Sequence, residues 1–147
     1  MIQGEPVAAT ELHASAAAWA GKGILLRGPS GAGKSALLAR LLATGAYLVA
    51  DDLVRLERRG TMLHATAVAE AGLIELRRNG IFRLATAVGV PVNLCVDLGA
   101  EPGRERLPER RSAEIAGVDV PLLLVGDGRD PAAVAHILVA LAARRVH

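Results

Sequence analysis

At 147 residues the chain has the length of a single domain, residues 1–147. Its residues are 52% hydrophobic and 22% charged, which supplies a core and excludes global disorder. The formal charge is only +2, and the one basic cluster, residues 104–111, is interleaved with Glu105 and Glu109. With Trp19, Tyr47 and Phe82 as the only, widely separated aromatics, this is not the basic stripe with stacking platforms that nucleic-acid binders carry.

Residues 11–20 read as a strand, followed by turn residues at Gly21, Lys22 and Gly23. Residues 23–27 are a short apolar strand that ends at a glycine-rich segment. From Lys34 to Thr44 the residues Leu37, Leu38, Leu41 and Leu42 recur at helical spacing, and Gly45 is placed to end the helix. Residues 47–50 read as a buried strand running into Asp51 and Asp52. Strands are expected over residues 53–56 and 61–68, with a turn at Arg58, Arg59 and Gly60, and again near 81–86 and 92–98. Residues 101–117, polar and with two prolines, read as a loop, and 120–125 as a late strand. Asp130 is placed to cap a final helix with Pro131 at its first position. Val134, Ile137, Leu138 and Leu141 would form its buried stripe, and Arg144 and Arg145 suit its C-terminal end. The sum is an α/β domain with a mixed sheet and few helices, without regular strand–helix alternation.

No apolar run approaches the roughly 20 residues that span a bilayer; residues 131–143 are fewer and include His136. The N-terminus, M-I-Q-G-E-P, has no basic segment followed by an apolar one, so the expectation is a soluble cytoplasmic domain with no membrane partner. Cys95 is alone, which excludes an internal disulfide and a multi-cysteine metal cage.

Gly28, Pro29, Ser30, Gly31, Ala32, Gly33, Lys34 and Ser35 satisfy G-x-x-x-x-G-K-[ST] between a predicted strand and a predicted helix, the context this motif requires. Its glycines let backbone N–H groups converge on phosphate oxygens, and the helix N-terminus adds partial positive charge. Lys34 would reach the β- and γ-phosphates of ATP, and Ser35 would offer its hydroxyl to Mg²⁺. A GTPase would need a guanine-reading N-K-x-D, which does not occur, and a motor ATPase a longer chain; a small kinase or a nucleotide-binding module remains.

Asp51 and Asp52 lie one helix and one strand beyond this loop, where residues at a strand end emerge beside the phosphate site. One carboxylate can help hold the metal and the other can accept the proton of an attacking hydroxyl. Neighbours on a strand face opposite ways, so the two should not share one role. His13 precedes the loop, whereas His64, His136 and His147 receive no role.

Taken together, H-A-S at His13, G-P-S-G-A-G-K-S, L-V-A-D-D and L-I-E-L-R-R-N-G-I resemble the catalytic domain of the HPr kinase/phosphorylase family, in its short single-domain bacterial form. The resemblance implies a phosphoenolpyruvate-carboxykinase-like nucleotide-binding core. It also implies ATP- and Mg²⁺-dependent phosphorylation of a serine on HPr or a similar phosphocarrier, with the reverse phosphorolysis left open. It gives catalytic roles to His13, Lys34, Asp51, Asp52 and Arg106, with Asp52 as proton acceptor and Asp51 supporting it through His13. Ser35 and Glu75 become the Mg²⁺ ligands, and the segment around Arg129 resembles a loop that contributes to catalysis. Longer members form hexamers, so a homo-oligomer is implied.

The chain departs from the family signature I-E-I-R-G-L-G-I at Arg78, where the family has glycine, and at Asn79. It also lacks an acidic residue at Ala36 and an arginine at Gly126. These departures keep open a nucleotide-binding regulatory module without phosphotransfer, or a small-molecule kinase.

Overall fold

The structure is a computed structural model that describes residues 9–68, 71–143 and 146. Eleven strands and two helices follow one another as β1 (Ala9–Leu12), β2 (Ser15–Trp19), β3 (Lys22–Arg27), α1 (Lys34–Ala43), β4 (Tyr47–Ala50), β5 (Val54–Arg59) and β6 (Met62–Ala67). Then come β7 (Leu73–Leu76), β8 (Gly80–Arg83), β9 (Val90–Leu98), β10 (Arg111–Ile115), β11 (Val118–Val125) and α2 (Pro131–Ala142). This is a mixed, β-rich sheet with two helices.

Nine strands form the main sheet, in the order β1-β5-β6-β9-β3-β2-β4. β11 also pairs with β9, and β10 pairs with β11. The remaining two strands, β7 and β8, form a separate hairpin. β9 is the hinge of this arrangement, and its apolar run explains why: Val90, Val92, Leu94, Cys95, Val96 and Leu98 are all buried. It runs parallel to β3, pairing Arg27 with Asp97, and parallel to β11, pairing Leu98 with Val125. Strands buried on both sides read as near-continuous apolar runs.

Two clusters fill the two faces. Leu37, Leu38 and Leu41 of α1 and Ile137 and Leu141 of α2 pack on Ile24, Leu26, Leu48 and Val96. On the other face Leu25, Val49 and Cys95 meet Val54, Leu56 and Leu63 from the β5–β6 hairpin and Val120 from β11. Each buried leucine or isoleucine contributes about 1.5–3 kcal/mol. Burial also pushes the Cys95 thiol up to about 12, so it behaves as a small core hydrophobe.

β2 is antiparallel to β3, with Ser15 opposite Leu26, and β4 is antiparallel to β2, with Ala50 opposite Ala16. The C-terminal ends of β3, β4, β9 and β11 and the start of β2 therefore lie along one edge of the sheet. That edge carries the segments that follow: the glycine-rich loop, the two aspartates, Gly99 and residues 126–130.

Several expectations need correction. Residues 11–20 do not make one strand: the chain breaks at His13 and Ala14, and β1 pairs with β5 while β2 pairs with β3 and β4. The expected loop over 101–117 is a loop only in its first part. Residues 111–115 form β10, which alternates buried Ala113 and Ile115 with exposed Ser112 and Glu114 and turns at Ala116 and Gly117 into β11. β7 has no counterpart among the expected strands. α2 begins as expected, with the Asp130 carboxylate accepting the Ala132 N–H at 2.9 Å and Pro131 at the first turn. Arg144 and Arg145 lie outside the described residues. Among those residues, no helix is long and apolar enough to cross a membrane.

Candidate active site

The glycine-rich loop leaves β3 at Gly28 and enters α1 through Gly33, whose φ of 90° lies in the left-handed region that glycine adopts without penalty. No side chain caps this helix, and its first turn holds no acidic residue. The first intrahelical bond runs from the Leu37 N–H to the Gly33 carbonyl at 2.9 Å. The amides ahead of it are thus left for an anion, and the helix dipole favours one there. Lys34 is half-buried, and its Nζ donates to the Gly28 carbonyl at 3.4 Å, a long bond that is easily exchanged for a phosphate oxygen. Ser35 is exposed beside it.

The loop is wedged in place by two neighbouring segments. A side chain at Gly99 would crowd Pro29, with Cδ at 3.1 Å. The Gly128 N–H donates to the Ala32 carbonyl at 2.8 Å, and a Cβ at Gly33 would meet the Arg129 nitrogen at 2.9 Å. Arg129 completes the clamp. Its Nη2 donates to the Gly31 carbonyl at 2.8 Å while Nη1 pairs with Asp127 at 3.1 Å. The Asp127 carboxyl is held below its ordinary range, chiefly by the Arg129 backbone N–H. Behind the loop, Arg27 and Asp97 form a two-pronged pair at 2.8 and 3.0 Å across β3 and β9.

A Cβ at Gly128 would collide with the Gly33 carbonyl oxygen and with Leu98 Cδ2, one a backbone atom of the loop. Gly128→Ala is expected to cost about 1–3 kcal/mol through overpacking and to weaken nucleotide binding as the loop shifts. Urea unfolding and a nucleotide titration check both parts. Gly126 is covered by the Glu101 carboxylate, which occupies the space a side chain would need.

Asp51 and Asp52 sit just beyond β4, in a tight turn and not on the strand itself. The Leu53 N–H donates to the Asp51 carbonyl at 2.9 Å across Asp52, whose φ is 69°. That is a three-residue turn with a positive central φ, a rare geometry costing of order 1–3 kcal/mol. The strand alternation that would separate the two carboxylates does not apply in this turn; Asp51 is half-buried and Asp52 exposed. Ser15 joins them, its Oγ donating to Asp51 Oδ1 at 3.1 Å and accepting the Asp52 N–H at 3.2 Å. Burial pushes the Asp51 carboxyl above its ordinary range, while the Ser15 hydroxyl and the Glu75 backbone N–H pull it back. The Asp52 and Glu75 charges add to the upward push.

Glu75 is thereby beside Asp51, exposed on a hairpin anchored by buried Ile74. Among the described residues no group of three or more His, Cys, Asp or Glu could hold a metal alone. Ser35 and Glu75 offer oxygen donors, which suit Mg²⁺, an ion ordinarily held by one or two protein groups together with phosphates. The cleft between β4 and the 71–73 segment holds about 160 Å³, below the roughly 300–1,000 Å³ of ordinary ligand pockets.

The remaining expected residues are dispersed. His13 is exposed between β1 and β2, and the link to Asp51 runs through Ser15. Arg106 is exposed in the irregular segment before β10, whereas among the described residues the arginine that reaches the glycine-rich loop is Arg129. In the β7–β8 turn, Arg78 has φ 68°, in the left-handed region that glycine adopts without penalty. Arg78→Gly is expected to raise stability by about 0.5–1 kcal/mol, read as a higher thermal midpoint.

The model of the HPr serine kinase C-terminal domain matches residues 6–145. The HPr kinase/phosphorylase of Chlorobium limicola is 34% identical over 128 residues, covering 77% of this chain and 38% of the relative. That of Aromatoleum aromaticum is 36% identical over 126 residues, covering 75% and 40%. The chain therefore spans well under half the length of these relatives. The solved structure of the Hpr(Ser) kinase/phosphatase from Coxiella burnetii superposes with a TM-score of 0.75 at 25% identity, covering 90% of this chain and 88% of that one.

Proposed function

Since this chain belongs to the HPr serine kinase C-terminal domain family, we propose that it is an ATP- and Mg²⁺-dependent kinase acting on a serine of HPr or a similar small phosphocarrier. One observation carries the reading: an uncapped, glycine-entered helix N-terminus and a strained aspartate turn open on the same sheet edge.

The triphosphate would lie on the amides of residues 33–35, with Lys34 exchanging the Gly28 carbonyl for β- and γ-phosphate oxygens. Ser35 and Glu75 would hold Mg²⁺, which when bound neutralises charge on those phosphates. Asp52, exposed and turned outward, would accept the serine proton as that oxygen bonds to the γ-phosphorus and the bond to ADP breaks. Asp51, half-buried and held by Ser15, would add negative charge beside Glu75 for the metal. Arg129, bonded to the loop, is better placed than Arg106 to meet charge on the transferring group.

Incubation with γ-labelled ATP, Mg²⁺ and purified HPr tests this. Label on an HPr serine supports the kinase reading. Bound nucleotide without transfer indicates a regulatory module, and label on a small hydroxyl compound alone indicates a small-molecule kinase. Phosphorylated HPr incubated with inorganic phosphate tests the reverse reaction.

A further inference from the structure

We propose that Ser15 is a positioning residue for phosphoryl transfer: its hydroxyl holds the Asp51–Asp52 turn so that the Asp52 carboxylate faces the incoming alcohol. This rests on the kinase reading and adds a residue to it.

Ser15 is 1% exposed and is the one buried polar residue among those described. Its neighbours Ala14, Ala16, Ala17 and Ala18 are buried alanines, so the strand accepts a methyl group at each adjoining position. A hydroxyl in that setting is unfavourable unless its hydrogen bonds are satisfied. Ser15 satisfies them on both sides, giving its proton to Asp51 Oδ1 and accepting the Asp52 N–H.

The turn needs such a holder. Asp52 has φ 69°, with the Leu53 N–H closing on Asp51 across it. Backbone strain of this kind persists only where the surroundings over-determine it, and it concentrates at functional sites. The two Ser15 bonds grip the turn from both residues at once. Ser15 is also opposite Leu26, one residue before Arg27 and two before the phosphate loop, which ties the turn's position to that loop.

Ser15→Ala fits the alanine-lined strand and tests the role. With HPr as acceptor, kcat is expected to fall by roughly 10–10²-fold, the scale of a misplaced reacting group. KM for ATP, nucleotide affinity and thermal midpoint should stay near wild type. Ser15→Thr keeps the hydroxyl and should recover most of kcat. Undiminished kcat in Ser15→Ala, or a loss shared equally by ATP affinity, would overturn the role. So would a Ser15→Thr protein with a wild-type midpoint that stays as slow as Ser15→Ala. Wild-type protein that moves no phosphate to HPr or to a similar small phosphocarrier would end the kinase reading and the positioning role with it. Wild-type transfer with an unaffected Ser15→Ala ends the positioning role alone.

Discussion

Asp52→Asn is expected to lower phosphoryl transfer by about 10²–10⁴-fold, the usual worth of a positioned general base, with MgATP affinity near wild type. Asparagine matches the volume of aspartate and is among the few residues at ease with a positive φ, so the turn at 69° should survive. The backbone N–H that donates to Ser15 is untouched. What is lost is the acceptor for the serine proton. Single-turnover transfer and a nucleotide titration separate the two effects, and a fully active variant would refute Asp52 as the base. Asp51→Asn makes the contrasting case. Its carboxylate is half-buried and committed to Ser15 and the Glu75 N–H, so its loss bears on the turn and the metal.

Lys34→Ala acts earlier, on nucleotide binding. Among the described residues the Lys34 ammonium hydrogen-bonds only to its own loop, through a 3.4 Å bond to the Gly28 carbonyl, so little there holds it back from a phosphate. A charge-assisted hydrogen bond contributes roughly 1.5–3 kcal/mol, which is about 10–100-fold in affinity. Calorimetric titration with MgATP should show that loss with an unchanged thermal midpoint. Unaltered affinity would contradict a triphosphate on this loop.

The glycine-rich loop was legible because it is local. Eight consecutive residues specify a loop whose chemistry is that of its own backbone, and the flanking apolar strand and helix confirm its setting. The aspartate pair was legible for a similar reason, since an apolar strand runs directly into it. Its turn was not, because a positive φ at Asp52 leaves no trace in composition. Ser15 illustrates the harder case. H-A-S drew attention to the histidine, yet the residue that reaches the aspartates is the serine, 36 residues away in sequence. Buried in a run of alanines, it looks like any small strand residue until the fold brings β2 beside β4.

The arginines follow the same rule. Arg106 and Arg129 are equally visible in the sequence, and only the short Gly128–Ala32 contact shows which of them is brought to the loop. β10 was hidden by the prolines and charges that precede it, although Ala113 and Ile115 carry the two-residue period of a half-buried strand. β7 was hidden by the turn that follows, in which Arg78 occupies a conformation suited to glycine.

The most direct measurement is a crystal structure of the protein with Mg²⁺ and a non-hydrolysable ATP analogue. The expected result is β- and γ-phosphates on the main-chain N–H groups of residues 33–35. The Asp52 carboxylate should face the γ-phosphate, leaving room for a hydroxyl oxygen about 3–3.5 Å from phosphorus. Phosphates bound elsewhere, or Asp51 and Asp52 both turned away from them, would contradict it.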